Sequence, residues 1–280
     1  MQDRYWGRND VTLQGPLRQS RLIETPAHEE ALARLGYLVE HRRRFGLMLG
    51  PAGTGKSLVL RAAADDAKRL GREVAVIDLF GIDSHDLLWK LAVTLQLGPN
   101  ERWSHSALWR AVTDHWHALH SARLPSLLLL DHLERAESDS LVLIERLLHL
   151  DVANEGCLTV LAAAREVAND LLLEGLAEQS DLRIELPRLD RHETAMFVRE
   201  WLDKSNHDRE CFSRNALETV FDLSGGSPRE IIRLCQLSFA AAERDELDLI
   251  NSVTLLEVTS ELPRSEPRHT NVENNLATTW

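Results

Sequence analysis

Short, uninterrupted apolar runs alternate with longer stretches of helical periodicity up to about residue 187. FGLMLG at 45–50 is apolar up to its closing glycine and predicts a buried strand. Residues 58–70 follow as a helix, with Leu58, Leu60, Ala64 and Ala67 available to a sheet and Gly71 placed to stop it. EVAVIDL at 73–79 predicts a second buried strand. A helix over 87–97 is opened by Ser84 or Asp86 as a cap and closed by Gly98 and Pro99. Over 104–120, Trp109, Val112, Trp116 and Leu119 fall at offsets of three, four and three, on one helical face. SLLLLD at 126–131 predicts a third strand ending in a carboxylate. Residues 138–150 predict a helix with Leu141, Ile144 and Leu148 inward. CLTVLAA at 157–163 predicts a fourth strand and RIEL at 183–186 a short fifth.

Strands that are continuously apolar, and separated by helices, argue for a parallel sheet covered on both faces, an α/β three-layer αβα architecture. After Pro187 only helical patterns remain, at 191–204, 213–223 and 228–244, with a weaker one at 248–262. The expected division is an αβα domain over 1–187, a small all-helical domain over 188–262 and a disordered tail over 263–280, which is polar and lacks periodicity.

Composition changes this picture little: 44% hydrophobic and 27% charged residues are ordinary for a globular chain of 280 residues. The net charge of −12 does matter, because it repels phosphate backbones and argues against a nucleic-acid partner, although a local basic patch is compatible with it. Cys157, Cys211 and Cys235 are odd in number and widely spaced, which argues against a disulfide framework or zinc knuckle and for a reducing compartment. The amino terminus is polar, and the longest apolar candidate, 124–130, contains Pro125 and Ser126, well short of the ~18 residues of a membrane helix. The cytoplasm is the expected location.

The chemistry is concentrated at Gly50-Pro51-Ala52-Gly53-Thr54-Gly55-Lys56-Ser57, which satisfies G-x-x-x-x-G-K-[ST] between a strand and a helix. Its glycines let successive backbone N–H groups turn inward onto phosphate oxygens. The helix start, through Leu58, adds unpaired N–H groups and a positive dipole end. Lys56 places an ammonium on the β- and γ-phosphates, and the Ser57 hydroxyl is a hard ligand suited to Mg²⁺. Against a glycine-rich turn with an incidental lysine, this context favours a nucleoside triphosphate site.

Asp131 ends a buried strand, where open α/β sheets bind ligands. With a phosphate loop present, a role in holding Mg²⁺ is favoured over a plain turn cap. Two candidates follow for activating water. His132 is a base near neutral pH but carries no negative charge when neutral. Glu134 is a carboxylate two residues on. The sequence leaves open which of them acts, or whether neither does and hydrolysis is slow or absent.

These residues together resemble the AAA+ P-loop ATPases, and within them the general secretion pathway protein A type. The resemblance spans roughly Trp6 to Leu262 and includes TPAHEEAL from Thr25, the phosphate loop, LLLLD ending at Asp131, LPRLDRHET from Leu186, and LSGGSPREII from Leu223. It implies ATP rather than GTP, in keeping with the lack of an evident N/T-K-x-D motif. It also implies that Arg229, in the G-x-P-R segment, reaches the γ-phosphate from a helical lid. Departures are equally informative. The polar residue expected at the end of the fourth strand falls near Ala164 and Arg165, leaving Arg165 or Glu166 for that work. The trans-acting arginine expected near Ala177, Glu178 and Gln179 is missing, with Arg183 the nearest candidate. Secretion proteins of this type continue into a membrane helix and a cell-wall-binding domain. Neither follows within these residues, so that role is not carried over.

Other clusters read as structural. His105, His115, His117 and His120 share a helix without an accompanying acidic ligand, and Trp103, Trp109 and Trp116 read as packing or a partner surface. Arg42, Arg43 and Arg44 read as a solvated helix end, and Cys157 as a core thiol. The expected function is a Mg²⁺-dependent ATPase that couples nucleotide to lid motion and to an unidentified protein partner or a nucleotide-dependent homo-oligomer. The alternative is an ATP-dependent switch or scaffold with little or no hydrolysis.

Overall fold

The structure, a computed structural model, describes residues 23, 25–150, 157–165, 171–205, 207 and 209–260. The tail at 263–280, Trp6 and Glu166 lie outside the described residues. Five strands form one sheet in the order β2-β3-β4-β1-β5: β1 (Phe45–Leu49), β2 (Glu73–Asp78), β3 (Ser126–Asp131), β4 (Leu158–Ala164) and β5 (Leu182–Glu185). Every pairing is parallel, so all strands deliver their carboxyl ends to one edge of the sheet.

Burial explains why the three central strands, β4 with its neighbours β3 and β1, are almost wholly apolar. Successive side chains in a strand point to opposite faces, and here both faces are covered. Leu128 and Leu130 of β3 face the core formed with α3 (Ser84–Thr94), α4 (His105–Ser121), α5 (Ser138–Leu150) and α6 (Leu171–Glu178). Leu127 and Leu129 face the opposite core, formed with α1 (Pro26–Glu40) and α2 (Lys56–Arg69). Residues α7 (Arg191–Lys204), α8 (Arg214–Ser224), α9 (Pro228–Arg244) and α10 (Ser252–Ser260) enclose a separate core of Phe197, Val198, Val220, Ile231 and Leu255. Ile23, ahead of α1, packs into this helical core. The fold is thus a three-layer αβα unit with a helical carboxyl-terminal region.

Several elements differ from the sequence expectation for identifiable reasons. The cap of α3 is Asp83, whose carboxylate accepts the Asp86 N–H at 2.8 Å, rather than Ser84 or Asp86. Helix α2 begins at Lys56, two residues early, because its cap is Gly55, which has no side chain to betray it. The inward face of α4 is Leu108, Val112, Thr113 and Trp116, while Trp109 and Leu119 sit half-buried at its margin. Helix α6 was not expected at all.

Close packing sets one sequence requirement inside β1. A Cβ on Gly46 would overlap the Leu38 side chain of α1 and approach Leu161 Cδ2 of β4 at 2.8 Å. Gly46→Ala is expected to destabilise the protein by about 1–3 kcal/mol through overpacking, measured as a lower urea midpoint at unchanged m-value. An unaltered midpoint would show that Leu38 can move aside.

Candidate functional site

Two glycines set the course of the loop between β1 and α2. Gly53 and Gly55 adopt left-handed φ values of 83° and 100°, which a side chain would strain. Gly55 caps α2 without a side-chain bond, so the first N–H groups of the helix are not satisfied by a capping side chain. Lys56 folds back and donates to the Gly50 carbonyl at 2.6 Å and the Pro51 carbonyl at 2.9 Å. Thr54, buried to 1% exposure, donates to the same Pro51 carbonyl at 3.0 Å. Desolvation holds the Lys56 ammonium below the usual lysine range; Glu134 and Asp131 oppose the shift, and Arg165 and Arg229 add to it. Five ionisable groups from four places in the sequence therefore meet at this loop.

Asp131 arrives on the end of β3, with its Oδ1 accepting the His132 N–H at 2.9 Å. His132 then takes a left-handed conformation, φ 57° and ψ 44°, which turns the chain sharply. Its Nδ1 lies 2.9 Å from Asp78 Oδ1 at the end of β2, and its ring stands edge-on to Phe80. After that turn, Glu134 points back to the loop. Its side chain is 13% exposed, and Oε1 lies 3.3 Å from Arg165 Nε but has no hydrogen-bond partner. Its Oε2 accepts the Arg165 N–H at 3.2 Å. Arg165 follows β4 directly, and its carbonyl accepts the Gly50 N–H at 3.1 Å. Of the two water-activating candidates, the geometry brings Glu134 to Lys56 and His132 to Asp78.

The helical region closes the remaining side. The Arg229 N–H, at the start of α9, donates to the Gly53 carbonyl at 3.2 Å. A Cβ on Gly53 would overlap the Ser227 hydroxyl and reach Arg229 Cβ at 3.1 Å, so this approach depends on glycine. Pro228 opens α9 as its first residue, where its missing N–H costs nothing. The Arg229 guanidinium is exposed yet still acts on Lys56. On the opposite flank, His28 of α1 contacts the Thr54 carbonyl at 2.8 Å. In the sequence His28 stands out only within TPAHEEAL. Its signal is its place at the third position of α1, behind Thr25 and Pro26.

The remaining candidates lie elsewhere. His115 bonds Glu73 at 2.8 Å, and His120 Nδ1 lies 3.0 Å from the buried Cys157 thiol. No group of three or more metal-binding side chains occurs among the described residues. Arg183 is exposed on the edge strand β5, and Ala177 to Gln179 close α6 without an arginine. Among the described residues, no helix is long and apolar enough to cross a membrane.

The chain has counterparts among known proteins. Residues 39–172, which hold the loop, Asp131, Glu134 and Arg165, match the family model described as AAA domain. The chain is 28% identical over 225 residues to General secretion pathway protein A of Aeromonas hydrophila, covering 79% of this chain and 41% of that protein. It thus spans about two fifths of the length of that relative. Among solved structures, it superposes on Cdc6p of Pyrobaculum aerophilum with a TM-score of 0.70 at 18% identity, over 87% of this chain and 69% of the other. Orc1 of Aeropyrum pernix, solved in complex with DNA, gives 0.64 at 16% identity, over 85% and 66%. The branch migration motor RuvB of Thermotoga maritima gives 0.54 at 17% identity, over 83% and 68%. The chain resembles the AAA+ ATPases of the secretion protein A type, and its fold is that of P-loop AAA+ proteins.

Proposed function

We propose that the chain is a Mg²⁺-dependent ATPase that couples ATP binding and hydrolysis to movement of its helical lid and to assembly with a protein partner or further copies of itself. The observation that carries this reading is the convergence of Asp131, Glu134, Arg165 and Arg229 on Lys56, inside a loop whose Gly53 and Gly55 hold left-handed conformations. The residues fit the nucleotide and its metal. Within the loop Gly50–Leu58, the N–H groups of residues 52 to 57 receive the phosphates, since the Gly50 and Leu58 N–H groups are bonded to the Arg165 and Gly55 carbonyls and Pro51 has none, and Lys56 pairs with the β- and γ-oxygens. Ser57 and Asp131 are the hard oxygen donors for Mg²⁺, which when bound offsets charge on the phosphates. Glu134 Oε1, buried and without a hydrogen bond, is the acceptor left over for a water proton. Arg229 reaches the γ-phosphate from the lid.

The domain division that accompanies this reading is an αβα unit at 1–187, a lid at 188–262 and a tail at 263–280, in a cytoplasmic protein. The acidic surface weighs against nucleic acid as the partner.

A second reading, an ATP-dependent switch with little hydrolysis, has its own support. Arg165 lies against both oxygens of Glu134, its Nε 3.3 Å from Oε1 and its backbone N–H donating to Oε2 at 3.2 Å, so an ion pair competes with water for this carboxylate. Steady-state phosphate release from purified protein separates the two: turnover above that of Lys56→Ala supports the ATPase, and equal turnover supports the switch. Size-exclusion chromatography with and without a nonhydrolysable ATP analogue tests assembly; an unchanged elution volume would remove that part of the proposal.

Arg229 offers a sharper test of the lid. Arg229→Ala is expected to weaken ATP binding about tenfold while leaving ADP binding within twofold, since only ATP offers a γ-phosphate to the charge-assisted bond. Equal losses for both nucleotides, in calorimetric titrations, would sink this assignment.

A further inference from the structure

Helix α1 contributes nothing to the phosphate loop by sequence proximity, yet one of its side chains is built into the loop's wall. His28 is 3% exposed. Its Nε2 lies 2.8 Å from the Thr54 carbonyl, 26 residues away in the chain. A carbonyl oxygen only accepts, so Nε2 carries the proton and donates. Nδ1 is then the acceptor, and its surroundings agree: the Thr25 N–H lies at 3.4 Å and the Thr25 hydroxyl at 2.8 Å. That hydroxyl also accepts the His28 N–H at 3.3 Å as the cap of α1. The ring is therefore held in one tautomer and one orientation by the start of its own helix.

We infer that His28 is a positioning residue for the phosphate loop, fixing the Thr54–Gly55 peptide so that the Gly55 N–H is presented to a phosphate oxygen. A trans peptide is planar, with its C=O and N–H on opposite sides. No peptide among the described residues is cis. Anchoring the Thr54 oxygen on the α1 side therefore directs the Gly55 N–H away from α1. The ring also fills the space behind Gly55: a Cβ there would lie 2.5 Å from Nε2, at a φ of 100°. The peptide cannot flip without losing its donor. This inference rests on the loop binding phosphate, and it adds to that reading the side chain that preorganises one of the loop's amides.

Equilibrium titration of MgATP into the full chain and into His28→Phe, His28→Gln and His28→Asn tests it, with thermal unfolding of each nucleotide-free protein alongside. Phenylalanine keeps the ring's volume and removes the donor, so ATP affinity should fall about tenfold, the scale of one lost hydrogen bond. Glutamine carries an N–H donor at a similar reach, so its affinity should stay within about threefold of the unmodified chain. Equal affinities in all proteins would overturn the inference. So would a loss in the glutamine protein as deep as in the phenylalanine one, because packing alone would then account for it. Where the phenylalanine protein does not fold, asparagine, one methylene shorter, serves in its place: weaker binding than glutamine supports the inference and equal binding overturns it. An unmodified chain that binds no MgATP would instead remove the phosphate-site reading beneath it.

Discussion

Lys56→Ala protein is expected to bind MgATP about 100-fold more weakly than the unmodified chain. The ammonium now rests on two carbonyls of its own loop, Gly50 and Pro51. Burial disfavours its charge, and two nearby guanidinium groups disfavour it further. A triphosphate reverses that balance by supplying anionic oxygens where the loop supplies only neutral dipoles. Charge-assisted hydrogen bonds contribute about 1.5–3 kcal/mol each, so losing one near the upper end of that range accounts for the expected change. Isothermal titration with MgATP checks it. Affinity within threefold of the unmodified chain would mean that the glycine-rich turn is not a phosphate site.

Glu134→Gln should have the opposite profile, with binding preserved and turnover reduced about 10²- to 10⁴-fold, the usual worth of a general base. The amide keeps the shape of the carboxylate and removes its basicity. His132→Ala is the matched comparison. Its imidazole is committed to Asp78 beside Phe80, so turnover should change by no more than a few fold. Phosphate release under saturating ATP reads both. A large loss in His132→Ala together with a small one in Glu134→Gln would reverse the assignment. Arg165→Ala bears on the same carboxylate: freeing Glu134 from its ion pair should raise the basal rate if the pair restrains it.

Local features were the legible ones. Strand β3 at 126–131 and helices α5, α7 and α9 have the bounds that periodicity and end signals suggest. Each is long or strongly apolar, and each carries its own stops. Helix α6 was not legible, because LLLEGLAE is eight residues, apolar on most sides and interrupted by Gly175, which reads as neither periodic pattern. The fourth carboxyl-terminal helix, predicted over 248–262, starts only at Ser252 and is described to Ser260, its exposed Val253 and Leu256 blurring the pattern. The loop could be read because the G-x-x-x-x-G-K-[ST] spacing is contiguous. The choice between His132 and Glu134 could not, since it depends on a left-handed turn at His132 that a non-glycine residue seldom adopts. His28 and Arg165 reach the loop only through tertiary contacts, at separations no local pattern encodes.

Helix α9 has a mechanical consequence. Its first turn is pinned to the Gly53 carbonyl, and it runs on for 17 residues to Arg244, a rod about 25 Å long. Pivoting such a rod about its pinned end by roughly 10° would sweep the far tip through about 4 Å, an amplitude set by helix rise alone. A small tilt of α9 about the glycine carbonyl would thereby appear as a displacement of side-chain size on the remote surface beside Arg244 and Asp245.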